Sequence, residues 1–114
     1  MTGAKARGDA GEAAYAQFRE ADGCKVLPLS PSLPGADLFV LDGFGHAELI
    51  EVKTWDRPLN PATIQAAMEA LLAHRDMMPG VWKRRTSVVL VHVTRDPDAV
   101  GTMGWDFPEV WRFP

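Results

Sequence analysis

The sequence predicts an α/β protein built on an α-β-β-β-α-β core, with a mixed central sheet flanked by helices. Three observations lead there. Residues 36–41 (ADLFVL) and 46–54 (HAELIEVKT) read as two strands around the turn Asp42-Gly43-Phe44-Gly45. Residues 86–94 (TSVVLVHVT) form the most β-branched run of the chain, as a buried central strand does. A helical segment lies between these two regions, and a helix joining the third strand to the fourth implies a crossover and therefore a mixed sheet.

The elements follow in order. Asp9 to Ala21 has the composition of a helix, with Tyr15 and Phe18 three apart on one face. Asp9 is placed as an N-cap, and Glu12 three residues later completes a capping box. Asp22-Gly23 ends the helix, and residues 24–29 (CKVLPL) read as a short strand, at an edge or ending at Pro28. Ser30 to Gly35, with two prolines and a glycine, is a loop. After the hairpin, Trp55 to Asn60 is a second loop. Asn60-Pro61 then opens a helix with a cap followed by proline in the first turn. That helix runs to about Met77, carries Ile64, Ala67, Met68, Leu71 and Leu72 on one face, and stops at Met78-Pro79-Gly80. Residues 95–101 read as a turn region, and a last short strand is expected near residues 109–113.

Composition narrows the class. The 114 residues make one domain, residues 1–114, and 46% are hydrophobic, so a single core can form without staples. Cys24 is the only cysteine, which excludes an internal disulfide and a thiolate zinc cluster and fits a reducing cytoplasm. No apolar run approaches the roughly 20 residues of a membrane span. The polar N-terminus lacks the apolar segment of a signal peptide. The formal net charge of −3 works against extensive nucleic-acid coating.

The chemistry concentrates in Asp37, Glu51, Val52 and Lys53. Alternation along a strand puts Glu51 and Lys53 on one face and Val52 on the other. If the two strands pair as a hairpin, Asp37 comes level with Glu51. Two carboxylates then converge beside an ammonium, a set that suits Mg²⁺ or Mn²⁺ together with an anionic substrate. By the same alternation Glu48 lies on the opposite face from Glu51, which is read as solvated. His46, His74 and His92 share no spacing, and His92, inside an apolar strand, reads as a satisfied buried histidine.

These residues resemble the PD-(D/E)xK nuclease superfamily, whose fold is called restriction-endonuclease-like. The match lies in Pro34-Gly35-Ala36-Asp37 for the first acid and Glu51-Val52-Lys53 for the second acid, spacer and lysine. The opening residues 8–14 (GDAGEAA) also resemble the first helix of small Holliday-junction-resolvase-like nucleases, in which a helix glutamate precedes the acid pair. The resemblance spans roughly residues 8–94. Gly35 and Ala36 separate Pro34 from Asp37, which leaves the subfamily open.

The resemblance implies Mg²⁺-dependent hydrolysis of DNA phosphodiester bonds, directed at branched or damaged DNA, by a homodimer working alone or beside a larger DNA-processing partner. Asp37 and Glu51 would hold the ion, with the Val52 carbonyl as a further ligand. Lys53 would orient or deprotonate the attacking water, or stabilise charge in the transition state. Glu12 would reach the metal, unless its capping-box role holds it. Gln65 would contact a metal-bound water or the DNA backbone, against a plain reading as a solvated helix residue. The basic run Lys83-Arg84-Arg85 is the best phosphate-contact candidate, with Arg57, Arg75, Lys5 and Arg7 adding to it. Trp55 would stack on a base or, more simply, support the core. The aromatic tail from Trp105 to Phe113 would complete the core or form the dimer contact. The competing reading is a nuclease-fold module that binds nucleic acid or partners without cutting. An RNA substrate ranks lower, because no RNA-recognition motif is present.

Overall fold

The computed structural model describes residues 4–29, 36–95 and 104–114. Along the chain run α1 (Ala4–Ala21), β1 (Lys25–Pro28), β2 (Leu38–Leu41), β3 (Ala47–Thr54), α2 (Pro61–Asp76), α3 (Gly80–Arg85), β4 (Thr86–Arg95) and β5 (Trp105–Phe113). The strands form one five-stranded sheet in the order β1-β2-β3-β4-β5. All neighbours are antiparallel except β3 and β4, which run parallel. The parallel pair follows from the α2 crossover, because a strand returning in the same direction needs a long connection. The architecture is α/β with a mixed sheet, as the sequence predicts.

Apolar residues divide between two cores, one on each face of the sheet. Tyr15 of α1 packs with Leu38, Val40, Ile50, Val52, Val89, Val91, Val93 and Trp105. Ala67 and Leu71 of α2 pack with Leu49, Leu59, Val88 and Leu90 on the other face. Alternate residues of β4 thus serve opposite cores, and six consecutive positions, Val88 to Val93, are buried. Burying each aliphatic side chain of this kind contributes about 1.5–3 kcal/mol. That is why the β-branched run could only be a central strand.

Local signals explain the ends of several elements. The Asn60 side chain accepts a 2.8 Å hydrogen bond from the Thr63 amide, capping α2 with Pro61 in its first turn. In the β2–β3 turn, Asp42 Oδ1 accepts from the amides of Phe44 (2.7 Å) and His46 (3.0 Å), and Gly45 takes the positive φ of 87° that closes it.

Other boundaries differ from the sequence reading. α1 begins at Ala4, so Asp9 lies inside the helix and does not cap it, which removes the capping-box role of Glu12. Ala36 and Asp37 precede β2 rather than belonging to it. The basic run Lys83-Arg84-Arg85 forms the last turn of a short helix, α3, that the sequence reading did not include. β5 begins at Trp105 rather than near residue 109, and Pro108 is tolerated because β5 lies at the edge of the sheet. The tail divides its aromatic residues. Trp105 is buried and Trp111 packs against the α2-side core, while Val110 and Phe113 are exposed. Residues 30–35, with Pro34 and Gly35 of the first motif, and most of the expected turn at 95–101 lie outside the described residues, as do the side chains of Lys5 and Arg7. No helix among the described residues is long and apolar enough to cross a membrane.

Glu48 is the clearest departure from expectation. It is buried rather than solvated, with 7% of its surface exposed. Its Oε1 lies 2.6 Å from Arg19 Nη1 of α1, and its Oε2 lies 2.5 Å from Arg112 Nη2 of β5. Arg19 also donates to the Tyr15 hydroxyl at 3.0 Å. A buried carboxylate needs partners of this kind, since desolvating it alone would cost more than the strand gains. Glu48→Gln is expected to destabilise the protein by roughly 2–3 kcal/mol in urea unfolding, below the about 3–5 kcal/mol of a fully buried pair. The discount reflects Arg112, whose side chain remains 53% exposed.

Helix α1 lies close against the sheet at Gly11. A Cβ there would collide with the Thr54 hydroxyl on β3. Glycine costs a helix about 1 kcal/mol relative to alanine, and overpacking costs about 1–3 kcal/mol, so close approach outweighs propensity. Gly11→Ala is therefore expected to lower the thermal unfolding midpoint, and a stabilised variant would contradict the contact.

Candidate functional site

The site begins with how β2 meets β3. The register ends with Leu38 opposite Ile50, and Asp37 stands one residue beyond it, so the expected levelling of Asp37 with Glu51 is not part of the ladder. Asp37 is held by its backbone on both sides. Its amide donates to the Ile50 carbonyl at 2.7 Å, and its carbonyl accepts from the Leu29 amide at 2.9 Å. Its side chain supplies a third tie, with Oδ2 accepting from the Val52 amide at 2.8 Å. The chain bends at Asp37, so the carboxylate stands where a strand carbonyl would otherwise meet Val52.

Around this anchor the other charged groups gather. Lys53 Nζ lies 3.0 Å from Glu51 Oε1, with the two side chains 32% and 17% exposed. Both belong to the β3 face that Leu49 shares with α2, as strand alternation requires. Glu51 Oε2 is buried and has no hydrogen-bond partner among the described residues. Glu12, one residue after the Gly11–Thr54 contact, hydrogen-bonds the Asp37 carboxyl from α1. Burial pushes the Asp37 carboxyl above the usual carboxylate range, although the Val52 amide, the charge of Lys53 and the Glu12 hydrogen bond pull it back. Glu12, Asp37, Glu51 and Lys53 thus form one linked constellation drawn from α1, the start of β2, and β3.

This donor set suits a hard divalent cation in one respect and falls short in another. A buried carboxylate oxygen without a partner and two carboxyls in contact are features that a cation relieves. Among the described residues, however, no three His, Cys, Asp or Glu side chains close on a point that would hold a metal by themselves. The set is then two or fewer side-chain carboxylates to an ion. Mg²⁺ commonly accepts one or two carboxylates because it keeps several waters.

Beside Lys53 a cleft of about 600 Å³ is lined by Gly8, Val52, Lys53, Thr54, Trp55, Asp56 and Arg57. Trp55 is partly buried against the α2-side core, and Arg57 is exposed. The other expected contact residues lie elsewhere. Gln65 is exposed on α2 and donates to Glu69 at 3.0 Å. Lys83, Arg84 and Arg85 precede Thr86, which pairs with Ala47, whereas Lys53 pairs with His92. Six residues of strand, roughly 20 Å, separate the two ends of that ladder. Lys83 instead pairs with Asp76 at 3.5 Å. Arg75 is committed to structure, donating to the carbonyls of Thr86 and Pro114.

Sequence reasoning gave His92 no part in the site. It is 97% buried by its 3% exposure, and Nε2 lies 3.0 Å from the Trp55 carbonyl oxygen. The one available signal was register, since β3 and β4 run parallel with Lys53 opposite His92.

The raised Asp37 carboxyl carries a sign that can be measured on the metal-free protein. A carboxyl with its folded pKa above the unfolded value favours folding below the unfolded value, and that contribution is lost as pH rises through the folded one. The ionised group therefore costs stability near neutrality. Asp37→Asn retains an acceptor for the Val52 amide and is expected to raise the unfolding midpoint at pH 7. It should also flatten the decline in stability between the unfolded carboxylate range and the folded pKa, read by thermal unfolding across pH.

Compared with known proteins, the sequence matches no protein-family model, and no curated protein matches it significantly.

Proposed function

We propose that this protein is a Mg²⁺-dependent DNA endonuclease of the PD-(D/E)xK type, with a restriction-endonuclease-like core. The observation that carries the reading is the linked set at one end of β3, with Glu12 on the Asp37 carboxyl, the charge of Lys53 acting on Asp37, and Lys53 on the Glu51 carboxylate. Few structural roles call for three acids and an amine at one end of a strand pair.

In this reading Asp37 and Glu51, with the Val52 carbonyl, would hold Mg²⁺ or Mn²⁺, and Glu12 would reach the ion through a water. The bound ion would lower the pKa of a coordinated water and offset charge on the scissile phosphate. Lys53, which pairs with Glu51 here, would direct its ammonium at the attacking water or at the non-bridging phosphate oxygens. Asp37 cannot drift, because three hydrogen bonds fix it. The α1 helix, seated through Gly11 on Thr54, keeps Glu12 over the site. Branched or damaged DNA, a homodimeric state and a cytoplasmic location belong to the same proposal.

A second reading, a nuclease-fold module that binds nucleic acid or a partner without cutting, is favoured by one observation. Among the described residues no three-ligand metal group forms, and Lys53 already neutralises Glu51.

The two part on activity and metal affinity. Cleavage of a panel of duplex, single-stranded, flapped and four-way DNA is expected in Mg²⁺ or Mn²⁺ and should stop in EDTA. Glu51→Ala and Lys53→Ala should each lower the rate by at least about a hundredfold, with circular dichroism and unfolding midpoint little changed. Retained cleavage in both variants removes the nuclease reading. Absence of both cleavage and Mn²⁺ binding by calorimetry selects the silent module.

A further inference from the structure

Beyond the end of β3 the chain is still tied to β4. The Trp55 amide donates to the Val93 carbonyl at 3.0 Å, extending the parallel ladder by one bond. The Trp55 carbonyl is held too, by His92 Nε2 at 3.0 Å. A carbonyl can only accept, so Nε2 carries the hydrogen and donates. That leaves Nδ1, which is buried and has no hydrogen-bond partner among the described residues. His92 thus spends its single observed hydrogen bond on one backbone atom. That atom opens the turn Trp55-Asp56-Arg57, which forms a wall of the cleft beside Lys53.

The cleft brings two basic side chains, Lys53 and Arg57, to its lining, together with Trp55 and the acidic Asp56. Several other basic groups do not extend it. The run Lys83-Arg84-Arg85 sits at the far end of the β3–β4 ladder, roughly 20 Å away. Arg19, Arg75 and Arg112 are engaged with Glu48 or backbone carbonyls. The formal net charge of −3 disfavours extensive electrostatic coating of duplex DNA. The cleft is short, and Lys53 and Arg57 on its lining can meet the phosphates of one strand.

We propose that His92 is a positioning residue for a single-strand subsite. By holding the Trp55 carbonyl it fixes the turn that presents Arg57, so that Lys53 and Arg57 meet neighbouring phosphates of one nucleic-acid strand. The inference rests on the nuclease reading and narrows its substrate to DNA with an unpaired segment at the scissile position.

The test uses full-length protein carrying Glu51→Gln to prevent cutting, and a labelled short oligodeoxynucleotide, single-stranded or annealed to its complement, in Mg²⁺. Fluorescence anisotropy should show tighter binding of the single strand than of the duplex. Adding His92→Leu leaves a buried carbonyl unpaired and should weaken single-strand binding by about tenfold. His92→Gln keeps an N–H donor and should restore most of the affinity. Arg57→Ala, an exposed change that leaves the core untouched, should weaken binding and lower the salt slope by about one unit. Nitrogen-resolved NMR of the imidazoles should show the His92 hydrogen on Nε2, a readout independent of folding effects on affinity. Equal affinity in the Arg57→Ala and His92→Gln proteins and their parent, with His92→Leu also unchanged, overturns the positioning role. Tighter duplex binding overturns the single-strand assignment. Failure of the otherwise unaltered chain to cut any DNA in Mg²⁺ removes the nuclease reading instead, and the binding comparison among these variants still decides the role of His92.

Discussion

The hydrogen bond from the Val52 amide to the Asp37 carboxylate is the constraint around which the site is arranged. It converts an acidic side chain into a member of the β-ladder. The backbone of Asp37 is pinned at the same time to Ile50 and Leu29, so the acid is fixed by the sheet and not by a loop. Everything near it then has a defined place. Lys53 stands near enough for its charge to act on Asp37, Glu51 pairs with Lys53 from the same face of β3, and Glu12 arrives from α1. The arrangement has a cost, since burial disfavours the charged form of Asp37. A carboxyl whose titration is displaced by burial within so rigid a frame is a frequent mark of a working site.

The fold was legible where local rules and burial agree. The residues of β3 and β4 announce themselves by alternation and β-branching, and Asn60-Pro61 announces α2 by its cap. The crossover between the two strands then fixes a parallel neighbour. Legibility failed where tertiary context outweighs local signals. Residues 4–8 (AKARG) carry no apolar period, yet they continue α1. Pro108 looks like a break, but the outer edge of a sheet tolerates a residue without an amide hydrogen. α3 is only six residues long, too short for periodicity to show.

The candidate site divides in the same way. Asp37, Glu51 and Lys53 could be brought together on paper, because hairpin register and strand alternation are short-range rules. Glu48 could not be read correctly. Alternation gives the face on which a side chain lies, but not what covers that face, and its partners Arg19 and Arg112 are far from it in sequence. The role of Glu12 was open between a cap and the site, and the earlier start of α1 removes the cap. Lys83-Arg84-Arg85 looked attractive as the densest positive charge. Distance along a strand, which composition does not encode, puts it at the opposite end of the ladder.

The clamp on Glu48 also bears on how the chain can fold. Its two guanidinium partners come from α1, at the start of the chain, and from β5, the last strand. Until β5 docks, α1 can supply only half of the counter-charge that the buried carboxylate requires. On a ribosome α1 would therefore wait, loosely seated, until β5 has emerged. Assembly should then finish in one late, cooperative step and not piece by piece from the N-terminus.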